Sequence, residues 1–423
     1  MIGFNNKNGE LHIDEVPLSH IAEQYGTPSY VYSASHIRRQ YNALKQAMAE
    51  ALPKDNQPML CYACKANSNV AILALLKSLG SSLEIVSEGE LFRGLKAGFK
   101  GEEIISTSFG KNETEIEACL NANLLQFNIE SPEELQTINR CASRQNKRAD
   151  VVFRLNPDIK GGGHKKISTG LKENKFGNTA EDIISLYEAA EQLEYINPVG
   201  VSIHIGSQIM QAEAFKPSFE KLAALTHTLR EKGHEVTHLD IGGGFPIAYN
   251  NEQLLDLSAY AEWVRNIILP LDTKIQMEPG RYLVGNAGIL LTRAQYIKTT
   301  PSKNFLVLDA GMNDLIRPTL YEAYHNIEAV KPRDTEQTYD VVGPICESGD
   351  IFASERTIST IEKDDLVAIK SAGAYGYSMA SSYNSRPLPA EIMVDGDQIH
   401  EIGARQTLEQ LITRETIPEY LTN

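Results

Sequence analysis

Between residues 61 and 281 the chain alternates short apolar runs with amphipathic stretches, and the runs number eight. They cover 61–65, 82–87, 103–108, 124–129, 150–156, 200–207, 238–244 and 275–281. Runs of this length, bounded by turn residues, read as strands buried on both faces. The stretches between them, such as NVAILALLKSLG and FEKLAALTHTLREKG, carry helical periodicity and end near glycine, as helix stops do. A further helix is expected over Ser35–Leu52. Eight strand–helix repeats in about 250 residues is the size and count of a (β/α)8 barrel. An open doubly wound sheet has no reason to stop at eight.

The polar residues agree with closure. Lys65, Ser87, Asn128, Asn156, His204, Ser207, Gly242–Gly244, Glu278 and Arg281 all fall at or near the C-terminal ends of the expected strands. That is the end on which barrels of this kind build their sites. After about residue 285 the pattern changes to short, turn-punctuated β segments such as NFLVLDAG and LVAIKSAGAYG. The expected class is therefore α/β. A TIM-like (β/α)8 barrel over 34–284 is joined by an antiparallel β domain made of 285–423 together with 1–33.

Composition narrows function by exclusion. Forty Lys and Arg against 55 Asp and Glu leave a net charge of −15, which argues against a nucleic-acid partner. No uncharged apolar run approaches the roughly 18 residues of a membrane span, and the first residues lack the basic and apolar regions of a secretory signal. Five cysteines in a chain of 423 residues suggest reduced thiols, and the expectation is a cytoplasmic enzyme. Cys61 and Cys64 form a CxxC pair, but no second ligand pair stands at zinc spacing. Read as part of a strand, residues three apart point to opposite faces, so no metal site is expected.

The candidate chemistry starts at Lys65 in YACKAN. A lysine at the end of a buried strand can have its pKa lowered for Schiff-base chemistry. HLDIGGGFP ends a strand in glycines whose N–H groups allow close approach of a phosphate, while lacking the dinucleotide spacing. EPGR at 278–281 offers a carboxylate for a pyridine nitrogen and a guanidinium for phosphate or carboxylate. His204 in SIHIGSQ could lie against a planar ring.

Together, YACKAN, HIGSQ, GGGFP and EPGR resemble the alanine-racemase-like pyridoxal 5'-phosphate (PLP) enzymes of fold type III. Within that class the chain is most similar to the diaminopimelate decarboxylase family. The likeness extends through ISTGLKENKFG (167–177), IRPTLYEAYH (316–325), PICESGD (344–350) and GAYGYSMASSYNSRPLPAE (373–391). It implies a PLP-binding barrel, with Lys65 carrying the cofactor, His204 stacked on its ring and Glu278 on its nitrogen. The phosphate is implied to lie among Ser207, Gly243, Gly244, Gly280, Arg281 and Tyr375. Substrate contacts are implied for Arg281, Arg317, Tyr321, Glu347 and Tyr375, and Cys346 matches the position of a proton donor.

The implied reaction is decarboxylation of meso-2,6-diaminopimelate to L-lysine and CO2, the last step of lysine biosynthesis, in a homodimer with shared active sites. Paired arginines and an acid suit the second amino-acid group of that substrate better than the lone distal amine of ornithine or lysine. Alanine racemase, other basic amino-acid decarboxylases and a non-catalytic PLP carrier are the rival readings. The glycine-rich DIKGGGHKK matches no family motif; a mobile loop with Gly161–Gly163 as its flexible part is expected there.

Overall fold

The computed structural model describes residues 3–159, 175–210 and 212–422, so the Gly161–Gly163 segment lies outside the described residues. The chain divides into two compact units, 37–284 and 1–36 with 285–423.

The first unit is a closed barrel of eight parallel strands: β5 (Met59–Ala63), β6 (Ser82–Ile85), β7 (Ile104–Ser106), β8 (Gln126–Ile129), β9 (Ala149–Leu155), β10 (Ile196–Ile203), β11 (His238–Asp240) and β12 (Lys274–Met277). Closure is made by β12 pairing with β5 through Gln276↔Met59 and Met277↔Leu60. Almost every strand residue is buried, because both faces of each strand are covered.

Several of the helices after the strands begin on side-chain caps. Ser87 caps α4 (Glu88–Lys96), Asn112 caps α5 (Glu113–Asn121), Ser131 caps α6 (Pro132–Gln145) and Thr179 caps α7 (Ala180–Ala190). Each carries two acidic residues in its first turn, where the helix dipole favours them. The helix expected from Ser35 runs Ala34–Ala51.

Several strands end earlier than the apolar runs suggest. β5 stops at Ala63, and Cys64–Ala66 form a 3-10 turn. Cys61 therefore lies on the strand and Cys64 in the turn, rather than both on one strand; both are buried free thiols whose pKa values burial pushes up. Likewise β10 ends before His204, β11 before the three glycines, and β12 before Glu278.

The second unit gathers both ends of the chain. A small sheet of β1 (Phe4–Lys7), β2 (Glu10–Ile13) and β3 (Val16–Pro17) accompanies a larger one. The larger sheet contains β4 (Ser29–Ser33), β13 (Gly288–Thr299), β14 (Asn304–Leu308), β15 (Ile327–Ala329), β16 (Glu336–Val342), β17 (Ile351–Ser359), β18 (Leu366–Ile369), β19 (Ala390–Asp395) and β20 (Gln398–Gly403). Pairings are antiparallel apart from β14 with β16 and β19 with β4. Because β4 pairs with both β13 and β19, the N-terminal segment is built into the sheet. Phe4, Leu11, Ile13 and Val31 share one core with Ile289, Ile392 and Val394. Among the described residues no helix is long and apolar enough to cross a membrane.

Candidate active site

Lys65 sits in the turn just past β5. Its amine donates to both oxygens of Glu84 on the neighbouring strand β6, at 2.9 and 3.0 Å. The Ala63↔Glu84 register explains the reach, since Lys65 stands two residues beyond Ala63. The Glu84 side chain is 0% exposed and that of Lys65 is 35% exposed. Burial pushes the Glu84 pKa up to about 8, against the pull of the Lys65 charge.

Polar side chains inside the barrel form a directed network. Thr107, just after β7, donates to Glu278 Oε1 at 2.8 Å. Asn128 on β8 donates to Thr107 Oγ1 at 3.1 Å and to Asp240 Oδ2 at 2.7 Å. Asp240 also accepts from the Gly242 N–H at 2.9 Å. Burial, then the charge of Glu278, push the Asp240 carboxyl well above the usual range.

His204 lies between these acids and the glycine loop. Its Nδ1 accepts from the Gly243 N–H at 3.3 Å and is 3.8 Å from Glu278 Oε2. Burial, together with the positive charges of Arg154 and Lys65, pushes its pKa well down, so the ring is neutral at ordinary pH. Accepting at Nδ1 leaves the ring hydrogen on Nε2.

The anion-binding elements meet on the same side. Arg281 is buried and opens a short helix, α10 (Arg281–Val284). Its Nη2 and Nε lie 3.1 and 3.3 Å from Ser207 Oγ, and its Nη1 donates to the Tyr249 hydroxyl. Gly244 has φ +93°, and a Cβ on Gly243 would stand 2.0 Å from the Glu278 carbonyl oxygen. The glycines are therefore needed twice, for a left-handed turn and for contact with the end of β12.

The second unit holds the remaining candidates. Arg317 and Tyr321 are the two ends of α11 (Arg317–Tyr321). Thr319 between them donates to the Gly349 carbonyl at 2.8 Å, tying α11 to the loop of Cys346 and Glu347. Asp350 shapes that loop by accepting from the Met312 and Ile345 amides at 2.6 and 2.7 Å. Cys346 is exposed whereas the other four cysteines are buried, and its amide donates to Asn384 Oδ1 at 3.0 Å. Glu347 hydrogen-bonds the neighbouring Tyr383 phenol and raises its pKa. Tyr375 is half-buried with φ +55°, a backbone conformation rare outside glycine.

Lys65, His204, Ser207, Gly243, Gly244, Glu278, Gly280 and Arg281 thus lie in the barrel unit at its C-terminal strand ends, and Arg317, Tyr321, Cys346, Glu347 and Tyr375 in the β unit. Sequence reasoning missed Glu84, Thr107, Asp240 and Tyr249. The available signal was an acid inside an apolar strand run, SLEIVS for Glu84 and HLDIGGG for Asp240.

Residues 34–285 match the family described as pyridoxal-dependent decarboxylase, pyridoxal binding domain, which sets the class of the barrel. The similarity does not stop there. A diaminopimelate decarboxylase of Pseudomonas aeruginosa is 43% identical over 98% of this chain and 99% of its own length. One from Neisseria meningitidis serogroup A is 45% identical over 96% and 98%. The crystal structure of diaminopimelate decarboxylase from M. jannaschii in complex with L-lysine superposes with a TM-score of 0.93 at 35% identity, covering 99% of both chains. The Helicobacter pylori enzyme, also with L-lysine, gives 0.90 at 39% identity, covering 94% of this chain and 99% of its own. The chain belongs to the diaminopimelate decarboxylase family.

The barrel's donor set fits PLP, the cofactor of this class. It has a primary amine against a buried acid, a second buried acid oriented by Thr107, and a guanidinium, hydroxyl and glycine loop suited to a phosphate.

Proposed function

We propose that this chain decarboxylates meso-2,6-diaminopimelate to L-lysine and CO2, the last step of lysine biosynthesis. The observation that carries the reading is the Lys65–Glu84 pair at the C-terminal end of a pyridoxal-dependent decarboxylase barrel. Full-length relatives of 43–45% identity support the choice of substrate.

When bound, PLP supplies an electron sink for the pair left on carbon as CO2 departs. Lys65 would hold its aldehyde carbon and Glu278 its ring nitrogen, with His204 against the ring. Ser207, Gly243, Gly244, Gly280, Arg281 and Tyr375 would hold its phosphate.

The remaining work belongs to the side chains. Glu84, with its pKa pushed up to about 8, can take up and return a proton at the Lys65 amine near neutral pH. His204, kept neutral, presents a flat apolar face without adding a charge. The Cys346 thiol, exposed on its loop, donates the proton that replaces CO2 on carbon.

The distal end of the substrate carries a carboxylate and an ammonium. Buried Arg317 supplies the cation, with Arg281 available as a second. Glu347 supplies the anion, and Tyr321 and Tyr375 line the same contacts. Pairing both charges at once is what would disfavour ornithine, whose distal amine needs no arginine.

We further infer a cytoplasmic homodimer in which Cys346 and Glu347 serve the partner's site, on the strength of the family resemblance. The deciding experiment measures CO2 release from meso-diaminopimelate, ornithine, lysine and carboxynorspermidine with added PLP, and identifies the product. Negligible turnover of diaminopimelate beside rapid turnover of another substrate overturns the reading. Light scattering reports the dimer.

A further inference from the structure

We propose that His325 is a positioning residue for the substrate carboxylate: its imidazole holds the Arg317 guanidinium in one orientation. Arg317 Nη1 lies 2.8 Å from His325 Nε2, and His325 Nδ1 lies 2.8 Å from the carbonyl oxygen of Lys370. Both outer partners have fixed roles. A guanidinium has only donors, and a carbonyl oxygen only accepts. The ring therefore carries its hydrogen on Nδ1, gives it to Lys370 O, and offers the Nε2 lone pair to Arg317. One tautomer of the neutral imidazole satisfies both contacts, and a protonated ring satisfies only one.

The imidazole is anchored to the sheet. His325 is 0% exposed, and its own carbonyl accepts from Arg356 Nη1 at 2.9 Å. Next along the chain, the Asn326 carbonyl accepts from the Lys370 amide at 2.8 Å. β15 begins at Ile327 and pairs with β18, which ends beside Lys370. Arg317 is carried by a separate, short segment. It opens a helix of only five residues, which Glu322 terminates in the left-handed region at φ +53°. That reversal brings the chain back so that a residue eight positions later meets the guanidinium. A long side chain loses substantial rotamer freedom when it grips a ligand. Contact with a ring fixed to the sheet removes much of that freedom beforehand, which is how a site preorganises its charge.

This inference rests on the reading of Arg317 as the substrate's carboxylate ligand, and the test separates the two. His325→Asn keeps an amide where Nδ1 stands and loses the acceptor for Arg317; His325→Gln restores an amide oxygen near the Nε2 position. With PLP-loaded enzyme, His325→Asn is expected to raise KM for meso-diaminopimelate and Ki for L-lysine about tenfold, as expected for a lost hydrogen bond to a charged group. The value of kcat and the PLP absorption band should stay near those of the unsubstituted enzyme. Inhibition by cadaverine, which is lysine without its carboxylate, should not change. His325→Gln should recover most of the loss.

Equal shifts for lysine and cadaverine, or equal effects of Asn and Gln, overturn the positioning role. If Arg317→Ala leaves lysine inhibition intact, the carboxylate-ligand reading itself fails. Nitrogen NMR of the unsubstituted holoenzyme gives a second measurement that does not depend on variants folding. A His325 ring protonated at Nε2 contradicts the proposal, and one protonated at Nδ1 alone supports it.

Discussion

Removing Lys65 should add a destabilisation of the apoenzyme that appears only at alkaline pH. In the structure Glu84 has no exposure of its own, and burial pushes its pKa up to about 8 despite Lys65. In the unfolded chain the ordinary value of 4.5 applies. An acid whose folded pKa is raised favours folding while it is protonated in both states, below its unfolded pKa. Stability then falls as pH rises toward the folded pKa, by about 1.4 kcal/mol per unit, and levels off above it. In the unsubstituted protein the fall attributable to Glu84 therefore ends near pH 8.

Lys65→Ala removes both the charge and the hydrogen bond that hold the Glu84 pKa down, so the folded value moves higher. The fall then continues past pH 8. At pH 6 Glu84 is protonated in both folded proteins, so its ionisation adds nothing to the difference between them. At pH 9 the variant is less stable by a further ~1.4 kcal/mol, and the gap widens with pH until Glu84 ionises in the variant too. The Lys65→Ala/Glu84→Gln double variant abolishes the pH-dependent part. Urea denaturation of the three apoproteins at pH 6, 8 and 9 measures it. An equal Lys65→Ala penalty at pH 6 and pH 9, or no rescue by Glu84→Gln at pH 9, would refute the claim that Lys65 keeps the buried carboxylate ionisable.

Two further outcomes test the site. Cys346→Ala should keep the PLP absorption band and lower kcat by roughly 10²-fold or more, the usual contribution of a placed general acid; an unchanged rate removes Cys346 as proton donor. Gly243→Ala places a Cβ 2.0 Å from the Glu278 carbonyl oxygen, so the loop must shift away from β12, and purified protein should contain well under one PLP per chain. A full complement of cofactor in that variant shows that the close contact is dispensable.

The barrel was legible because its strands are buried on both faces and so stand out as apolar runs, LCYA and FRL among them. The ends of the strands were less legible, for a physical reason. The candidate site residues stand on backbone conformations a strand cannot supply: a 3-10 turn at Lys65, φ +72° at Gly242 and φ +93° at Gly244. Apolar periodicity carries no mark of where those departures begin. The interior acids were hidden for a different reason, since Glu84 and Asp240 gain meaning only once eight strands close around them. Arg317 and His325 also could not be paired from the chain alone. Eight residues apart, they would lie more than two turns apart on a continuous helix. They meet because α11 stops at Tyr321 and the chain reverses.

The polar interior of the barrel orients a carboxylate. Gln276 donates to Gln126 at 2.8 Å, Gln126 to Asn128 at 2.9 Å, and Asn128 to both Thr107 and Asp240, while Thr107 donates to Glu278. Every step in this sequence runs the same way, because Gln126 and Asn128 each accept on the amide oxygen and donate from the amide nitrogen. The donors therefore end on two carboxylates, Asp240 and Glu278, that lie against each other in a sealed interior. Two charged carboxylates in such contact are strongly disfavoured, so the pair retains a proton. Burial, then the charge of Glu278, push the Asp240 carboxyl well above its ordinary range. Glu278 is held beside it with Oε1 accepting from Thr107 and Oε2 toward His204. A carboxyl group held in that way is suited to pair with a ring nitrogen, and the same network that fills the barrel core is what aims it.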